Sequence, residues 1–197
     1  GQITKISHEI PSDARILIVY GGGSIIGNGT MELAKRALTG RNITEFGGIE
    51  PNPDYETLMK AVEIVKKERI NFLLAIGGGS VIDGTKLIAA AACWELGDPW
   101  EILHNQGKGI RNVIPFGCIL TLPATGSEMN HHAVISRKTR QISLPSASGS
   151  QGNYGAMAMQ SQIAKEKLAF SNDKVYPQFA VLDPVTTFSL PKSQIAN

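Results

Sequence analysis

The chain has 197 residues, of which 42% are hydrophobic and 18% charged, and its formal net charge is +2. This balance is typical of a globular domain and argues against disorder, and the small charge argues against nucleic-acid binding. No signal peptide or bilayer-spanning apolar run is recognised, and Cys93 and Cys118 show no paired spacing. We therefore expect a cytoplasmic protein with free thiols and no membrane contact.

Candidate strands and helices alternate along the chain. This alternation predicts an α/β fold, a Rossmann-like parallel sheet flanked by helices. Asn52 and Pro53 are expected to cap and begin the second long helix. In chain order, the pattern predicts a strand at 15–20, a helix at 30–38, an extended segment at 43–46, a helix at 55–68, a strand at 71–76, an alanine-rich helix at 86–93, a loop with a short helix at 94–106, and strands at 112–122 and 178–183.

A glycine-rich turn joins the strand at 71–76 to the alanine-rich helix. It consists of Gly77, Gly78, Gly79 and Ser80. Glycine permits positive φ and close approach of a ligand, and the free N–H groups at a helix start favour an anion such as a pyrophosphate. An ordinary βα turn without a ligand is the alternative.

A second glycine-rich turn follows the first strand. It consists of Gly21, Gly22, Gly23 and Ser24, and it offers no carboxylate to a ribose 2′-hydroxyl. Main-chain N–H groups and a serine hydroxyl would donate to a 2′-phosphate without like-charge repulsion, which favours NADP over NAD. NAD stays possible because no Lys or Arg follows immediately, and a tight turn without a ligand is again the alternative.

Three hydroxyl side chains cluster at the end of the strand at 112–122. Thr121, Thr125 and Ser127 could bind a ribose or a carboxamide at the carboxyl edge of the sheet. The alternative is a turn capped by its own hydroxyls. Asp83 could either serve as a first-turn helix acid or face the cofactor loop.

Residues 140–165 are rich in Ser, Gly and Gln, which predicts a flexible insertion. The four histidines are scattered, apart from the adjacent pair His131 and His132. We therefore expect no metal site and no covalent catalytic arrangement within this sequence.

Five motifs together resemble those of the iron-containing, or group III, alcohol dehydrogenase family, in its NADPH-dependent aldehyde reductase and butanol dehydrogenase branch. They are YGGGS, EFGGIEPNP, GGGSVIDGTK, LTLPATGSE and LDPVTTFSLP. The resemblance implies that Gly77–Ser80 bind the pyrophosphate, Gly21–Ser24 meet the 2′-phosphate and Asp83 lies beside the nicotinamide. It further implies cofactor contacts along the nicotinamide and ribose by Thr121, Thr125, Ser127 and Asn130, a contact by Lys167, and positions near the adenine for Thr186 and Ser189.

The resemblance also implies a function for the whole enzyme. The family transfers hydride between NADPH and a short aldehyde or alcohol, and an Asp and three His of a helical domain bind iron or zinc. That domain is expected beyond Asn197, so residues 1–197 are expected to form the cofactor-binding domain alone, without metal or turnover, and to self-associate. The alternative is a stand-alone nucleotide-binding or structural remnant of such an enzyme.

Overall fold

A computed structural model describes residues 1–143 and 160–187. The strands are β1 (Arg15–Tyr20), β2 (Asn42–Phe46), β3 (Phe72–Gly78), β4 (Phe116–Leu122), β5 (His132–Ser143), β6 (Gln160–Ser171) and β7 (Ala180–Leu182). The α-helices are α1 (Ile6–Glu9), α2 (Ser24–Gly27), α3 (Thr30–Ala37), α4 (Tyr55–Lys67), α5 (Gly79–Ala92) and α6 (Glu101–His104). Short 3₁₀ turns cover Gln2–Lys5, Ser127–Met129, Asp173–Val175 and Pro184–Thr187. In this described part, no helix has the length and apolarity needed to cross a membrane.

Five of the strands form one parallel sheet, in the order β2-β1-β3-β4-β7. Helices cover both of its faces, which confirms the predicted fold class. Strand β1 is an unbroken apolar run because both of its faces are buried, and alternate residues point to opposite faces. Leu17 and Val19 pack into the core formed with α4 and α5, whereas Ile16 and Ile18 pack into the core formed with α1 and α3.

Several element boundaries differ from the prediction, for example the start of β4 at Phe116, and the differences at α5 and α4 concern the site. Helix α5 begins at Gly79, directly after the glycine-rich strand end and well before the alanine run. The expected cap of α4 at Asn52 and Pro53 is wrong, because the N-cap is Asp54, whose carboxylate accepts a hydrogen bond from the Glu56 amide at 3.2 Å. Asn52 instead adopts φ of 58° in the preceding turn.

Strands β5 and β6 form an antiparallel hairpin that the sequence analysis did not predict. The pairing runs from His132 with Ser171 to Ser143 with Gln160. Residues 140–143 and 160–165 therefore lie in strands and not in the expected flexible insertion, because the hydrogen-bond ladder pairs their main chain despite their polar composition. The rest of that expected insertion, residues 144–159, lies outside the described residues.

The hairpin is attached to the sheet domain through β5. The Val134 amide donates to Asp83 Oδ2 at 3.1 Å, and the Ser136 amide donates to the Pro53 carbonyl at 2.9 Å. Farther along β5, the Arg137 guanidinium lies 4.5 Å from the centre of the Tyr55 ring. These contacts fix the hairpin against the starts of α4 and α5.

The cap of α4 gives a test of the fold. Asp54 is buried, and its carboxylate satisfies a main-chain amide of the first helical turn. Replacing Asp54 with Ala should lower the free energy of unfolding by about 1 kcal/mol, since that amide loses its acceptor. Asp54→Ser keeps an acceptor and is the matched control in urea unfolding at neutral pH. An equal loss in both variants would contradict the assignment.

Candidate functional site

The sheet order creates a crevice at its carboxyl edge. Strand β1 has β2 on one side and β3 on the other, so the connections that follow β1 and β3 lead away in opposite directions. In open α/β sheets this switch point is where ligands bind. Both predicted glycine segments lie there, since Gly21–Ser24 follow β1 and Gly77–Ser80 span the end of β3 and the start of α5.

Close packing requires the glycines where β3 passes into α5. Gly77, Gly78 and Gly79 do not use the positive φ that glycine permits. A Cβ added to Gly77 would lie 2.5 Å from Val81 Cγ2, and one added to Gly79 would overlap the Thr125 hydroxyl. Their bare backbone lets α5 begin directly at the strand end. Gly78 is the N-cap and offers no side-chain acceptor, so the first amide groups of α5 are available at the crevice.

The turn after β1 does use a left-handed glycine. Gly23 has φ of +99° and caps α2, whose first residue, Ser24, is exposed. A Cβ added to Gly22 would meet nothing within 4 Å, so this position is open. The Gly21 carbonyl accepts a hydrogen bond from Gly48 at 3.0 Å, which holds the segment after β2 beside this turn.

The hydroxyls after β4 lie next to the start of α5. Thr125 and Ser127 hydrogen-bond to each other at 2.8 Å, and Gly126 between them has φ of +69°. Ser127 Oγ would lie 3.3 Å from a Cβ added to Gly79. Thr121 is buried near the end of β4. The structure therefore brings Thr125 and Ser127 of the predicted hydroxyl cluster to the helix N-terminus that follows the glycines.

Lys167 reaches the crevice from β6. Its ammonium donates to Asn52 Oδ1 at 2.8 Å, and the Asn52 amide donates to Ser80 Oγ at 3.3 Å. The hydroxyl of Thr186 is buried and hydrogen-bonded within the protein. It lies 2.9 Å from the Leu120 carbonyl oxygen and 2.8 Å from that of Asp183. Ser189 lies outside the described residues.

Two further side chains on α5 meet the start of β5. Asp83 accepts the Val134 amide, and Lys86 donates to Asn130 Oδ1 at 2.8 Å and to the His132 carbonyl at 2.7 Å. Asp83 and Asn130 are among the residues predicted from the sequence, whereas Lys86 is not. The available signal was a lysine three residues after Asp83 on an otherwise apolar, alanine-rich helix.

Burial changes the pKa values of Asp83 and Lys86. It raises the pKa of Asp83 above its ordinary value, and the neighbouring Ser127 hydroxyl, the Val134 amide and Lys86 partly offset that rise. Burial also lowers the pKa of Lys86 to about 8, against the opposing attraction of Asp83. The ammonium of Lys86 lies 3.9 Å from Asp83 Oδ1.

The described residues do not fit a metal centre. The rings of His131 and His132 lie 4.2 Å apart, and His131 Nδ1 is 3.5 Å from Asp173 Oδ1. Across residues 1–143 and 160–187, however, no three His, Cys, Asp or Glu side chains converge as metal ligands would.

Comparison with known proteins identifies the family. Residues 1–148 match the family model described as iron-containing alcohol dehydrogenase. The chain belongs to the iron-containing alcohol dehydrogenase family. The resemblance drawn from the five motifs is therefore confirmed.

Curated relatives of this family member differ in the cofactor that their names give. The chain is 51% identical to the NADPH-dependent aldehyde reductase YqhD of Escherichia coli, with 100% of this chain and 45% of the relative covered. It is 42% identical to NADP-dependent alcohol dehydrogenase 3 of Entamoeba histolytica, with 96% and 44% covered. It is 41% identical to NADH-dependent butanol dehydrogenase A of Clostridium acetobutylicum, with 100% and 44% covered. The chain thus spans less than half the length of these relatives.

Solved structures agree with the sequence comparison. The E. coli YqhD crystal structure matches with a TM-score of 0.84 at 50% identity, covering 100% of this chain and 44% of that one. NADH-dependent butanol dehydrogenase A of Thermotoga maritima matches with a TM-score of 0.79 at 34% identity, covering 98% and 43%. The parallel sheet and its flanking helices are therefore those of this enzyme family.

The buried lysine gives a pH-dependent prediction. Lys86 has a pKa of about 8 in the folded protein against 10.5 for an ordinary lysine, so the unfolded chain binds more protons between these values. Folding stability should therefore rise with pH across this range, by about 3 kcal/mol relative to Lys86→Met, which cannot titrate.

Urea unfolding of both proteins at pH 7, 8, 9 and 10 measures this difference. Lys67→Met, which removes an exposed lysine of α4, is the matched control. A difference between the original protein and Lys86→Met that stays constant from pH 7 to pH 10 would refute the prediction.

Proposed function

We propose that this chain is the NADP(H)-binding part of a metal-dependent alcohol dehydrogenase or aldehyde reductase, which transfers hydride between NADPH and a short aldehyde. The observation that carries the proposal is the crevice at the switch point of the sheet, where two glycine turns and the uncapped start of α5 meet. Family membership supports the reaction class, and the names of the E. coli and Entamoeba relatives support NADP(H) as the cofactor.

The pyrophosphate is proposed to bind at the start of α5. The amide groups of Gly79 and Ser80 belong to the first turn of a 14-residue helix, and the helix dipole adds positive potential there. Ser80 Oγ accepts the Asn52 amide and is thereby held at this point. Packing of Gly77 against Val81 fixes the helix start against the strand, so these donors need no rearrangement to meet an anion.

The adenosine 2′-phosphate is proposed to bind at Gly21–Ser24. This turn carries an exposed hydroxyl and no carboxylate, and the surface at Gly22 is open. A carboxylate at this place would accept from the 2′-hydroxyl of NAD but would repel a phosphate. The composition of the turn therefore supports a preference for NADP(H).

The nicotinamide half is proposed to extend toward β4 and the hairpin. Asp83, Thr125 and Ser127 supply acceptors and hydroxyls on that side of the α5 start, and Lys167 supplies a cation near Ser80. A ribose and a carboxamide need such a mixture of donors and acceptors. Because the described residues hold no metal centre, we assign to them only the binding and orientation of the dinucleotide.

Self-association is part of the proposal. Leu182 and Val185 are 56% and 59% exposed at the edge strand β7 and the turn that follows it. Large exposed apolar side chains at a sheet edge favour association with another chain. A second copy of this protein is the proposed partner.

The open position Gly22 gives a direct test of cofactor preference. The chain should bind NADPH more tightly than NADH, as measured by isothermal titration calorimetry. Gly22→Asp should weaken NADPH binding about tenfold or more through repulsion of the 2′-phosphate, and NADH binding much less. Both this variant and its uncharged control, Gly22→Asn, fit without a clash, since Gly22 has no positive φ and no neighbour near its Cβ position.

Three outcomes would contradict the proposal in different ways. Equal affinities for NADPH and NADH in the original protein would remove the preference but keep the site. Similar weakening by Gly22→Asn and Gly22→Asp would show a steric effect in place of an electrostatic one. If neither dinucleotide binds, the crevice is not a cofactor site, and a structural remnant of the family becomes the better description.

A further inference from the structure

Lys86 is a wholly buried lysine that the proposed binding site does not use. Its relative exposure is 0%, although it lies on the helix whose start is proposed to hold the pyrophosphate. Lysine is rarely fully buried unless its charge is paired and hydrogen-bonded. Two oxygen acceptors from the segment before and within β5 and one carboxylate from its own helix surround the ammonium.

These contacts join α5 to the start of the hairpin with complementary charges. The carboxylate of Asp83 accepts the main-chain N–H of Val134, whereas the ammonium of Lys86 donates to the main-chain carbonyl of His132. Asn130 completes the arrangement, since its side-chain oxygen accepts from Lys86 at 2.8 Å and from the His132 amide at 3.0 Å. The conformation of residues 130–134 is therefore tied to one buried cation.

Lys86 also helps to keep Asp83 ionised, together with the Ser127 hydroxyl and the Val134 amide. The Oδ1 atom of Asp83 is buried and has no hydrogen-bond partner, and Lys86 Nζ lies 3.9 Å away. A buried carboxylate without a compensating cation takes up a proton or turns toward another donor. Loss of Lys86 would therefore favour the neutral form of Asp83 and leave its Oδ1 atom without a nearby cation.

We infer that Lys86 is a positioning residue for the nicotinamide half of bound NADPH. It touches no ligand, and it acts by holding Asp83 and Asn130 in place at the side of the crevice next to β4. The inference rests on the proposed function, because it assumes that this side receives the nicotinamide and that Gly21–Ser24 receive the adenosine end. Replacement of Lys86 should accordingly weaken binding of the nicotinamide end and leave binding of the adenosine end unchanged.

The experiment compares a whole and a partial ligand by isothermal titration calorimetry. NADPH occupies both sides of the crevice, whereas adenosine 2′,5′-bisphosphate carries only the adenosine end. Lys86→Met should weaken NADPH about tenfold or more and leave the bisphosphate within about twofold of its original affinity. Circular dichroism at the titration temperature checks that the variant is folded.

Other outcomes overturn the inference. Equal weakening of both ligands would mean that Lys86 supports the crevice as a whole and does not position one end. Unchanged NADPH affinity in Lys86→Met would remove any role in binding while leaving the proposed function intact. Absence of NADPH binding to the original protein would overturn the proposed function and this inference together.

A second pair of variants tests the same idea if Lys86→Met does not fold. Asn130→Ala removes one acceptor of the Lys86 ammonium, whereas Asn130→Asp keeps an oxygen acceptor at that place. If Asn130 works through Lys86, NADPH binding should weaken in the Ala variant and be retained in the Asp variant. Equal loss in both would show a direct ligand contact by the Asn130 amide group and would contradict positioning through Lys86.

Discussion

The candidate site depends on the direct passage of strand β3 into helix α5. The strand ends at Gly78 and the helix begins at Gly79, so no loop separates them. This is possible only because Gly77 and Gly79 leave room for Val81 and for the Thr125 hydroxyl. The positive end of the helix is consequently held at the level of the sheet edge, and the turn after β1, the hydroxyls after β4 and Lys167 are all arranged around that fixed point.

The buried pair Asp83 and Lys86 of α5 has a different role from the partly exposed ion pairs nearby. Arg137 pairs with Glu56 and Asp98 at 3.3 Å on a partly exposed surface, where ion pairs contribute little to stability. Asp83 and Lys86 are desolvated, which costs free energy that a hydrophobic pair would not incur. The buried pair instead fixes the orientation of the hairpin, because the carboxylate binds a main-chain N–H group and the ammonium binds a main-chain carbonyl of β5.

The sequence predicted the parts of the fold that depend on local pattern. The unbroken apolar runs of β1 and β3 indicate strands buried on both faces, and the glycines that follow them mark the turns at the switch point. The hairpin was missed because much of β5 and β6 is polar and its stability comes from pairing between distant segments. The cap of α4 was misassigned because Asn52 and Asp54 are both good N-cap residues, Pro53 suits a first helical turn, and only the backbone conformation decides between the two caps. Lys86 was missed because a lysine on a helix normally points to solvent.

The position of the hairpin in the topology has a further consequence. Strands β4 and β7 are neighbours in the sheet, with Cys118 opposite Ala180, and the hairpin leaves and returns between them through the pair His132 and Ser171. The first residue of β5 and the last residue of β6 are therefore paired where the hairpin joins the sheet domain. The bonds of Lys86 and Asp83 to His132 and Val134 therefore act at the point where the chain leaves the sheet domain, and they fix the place to which β6 returns.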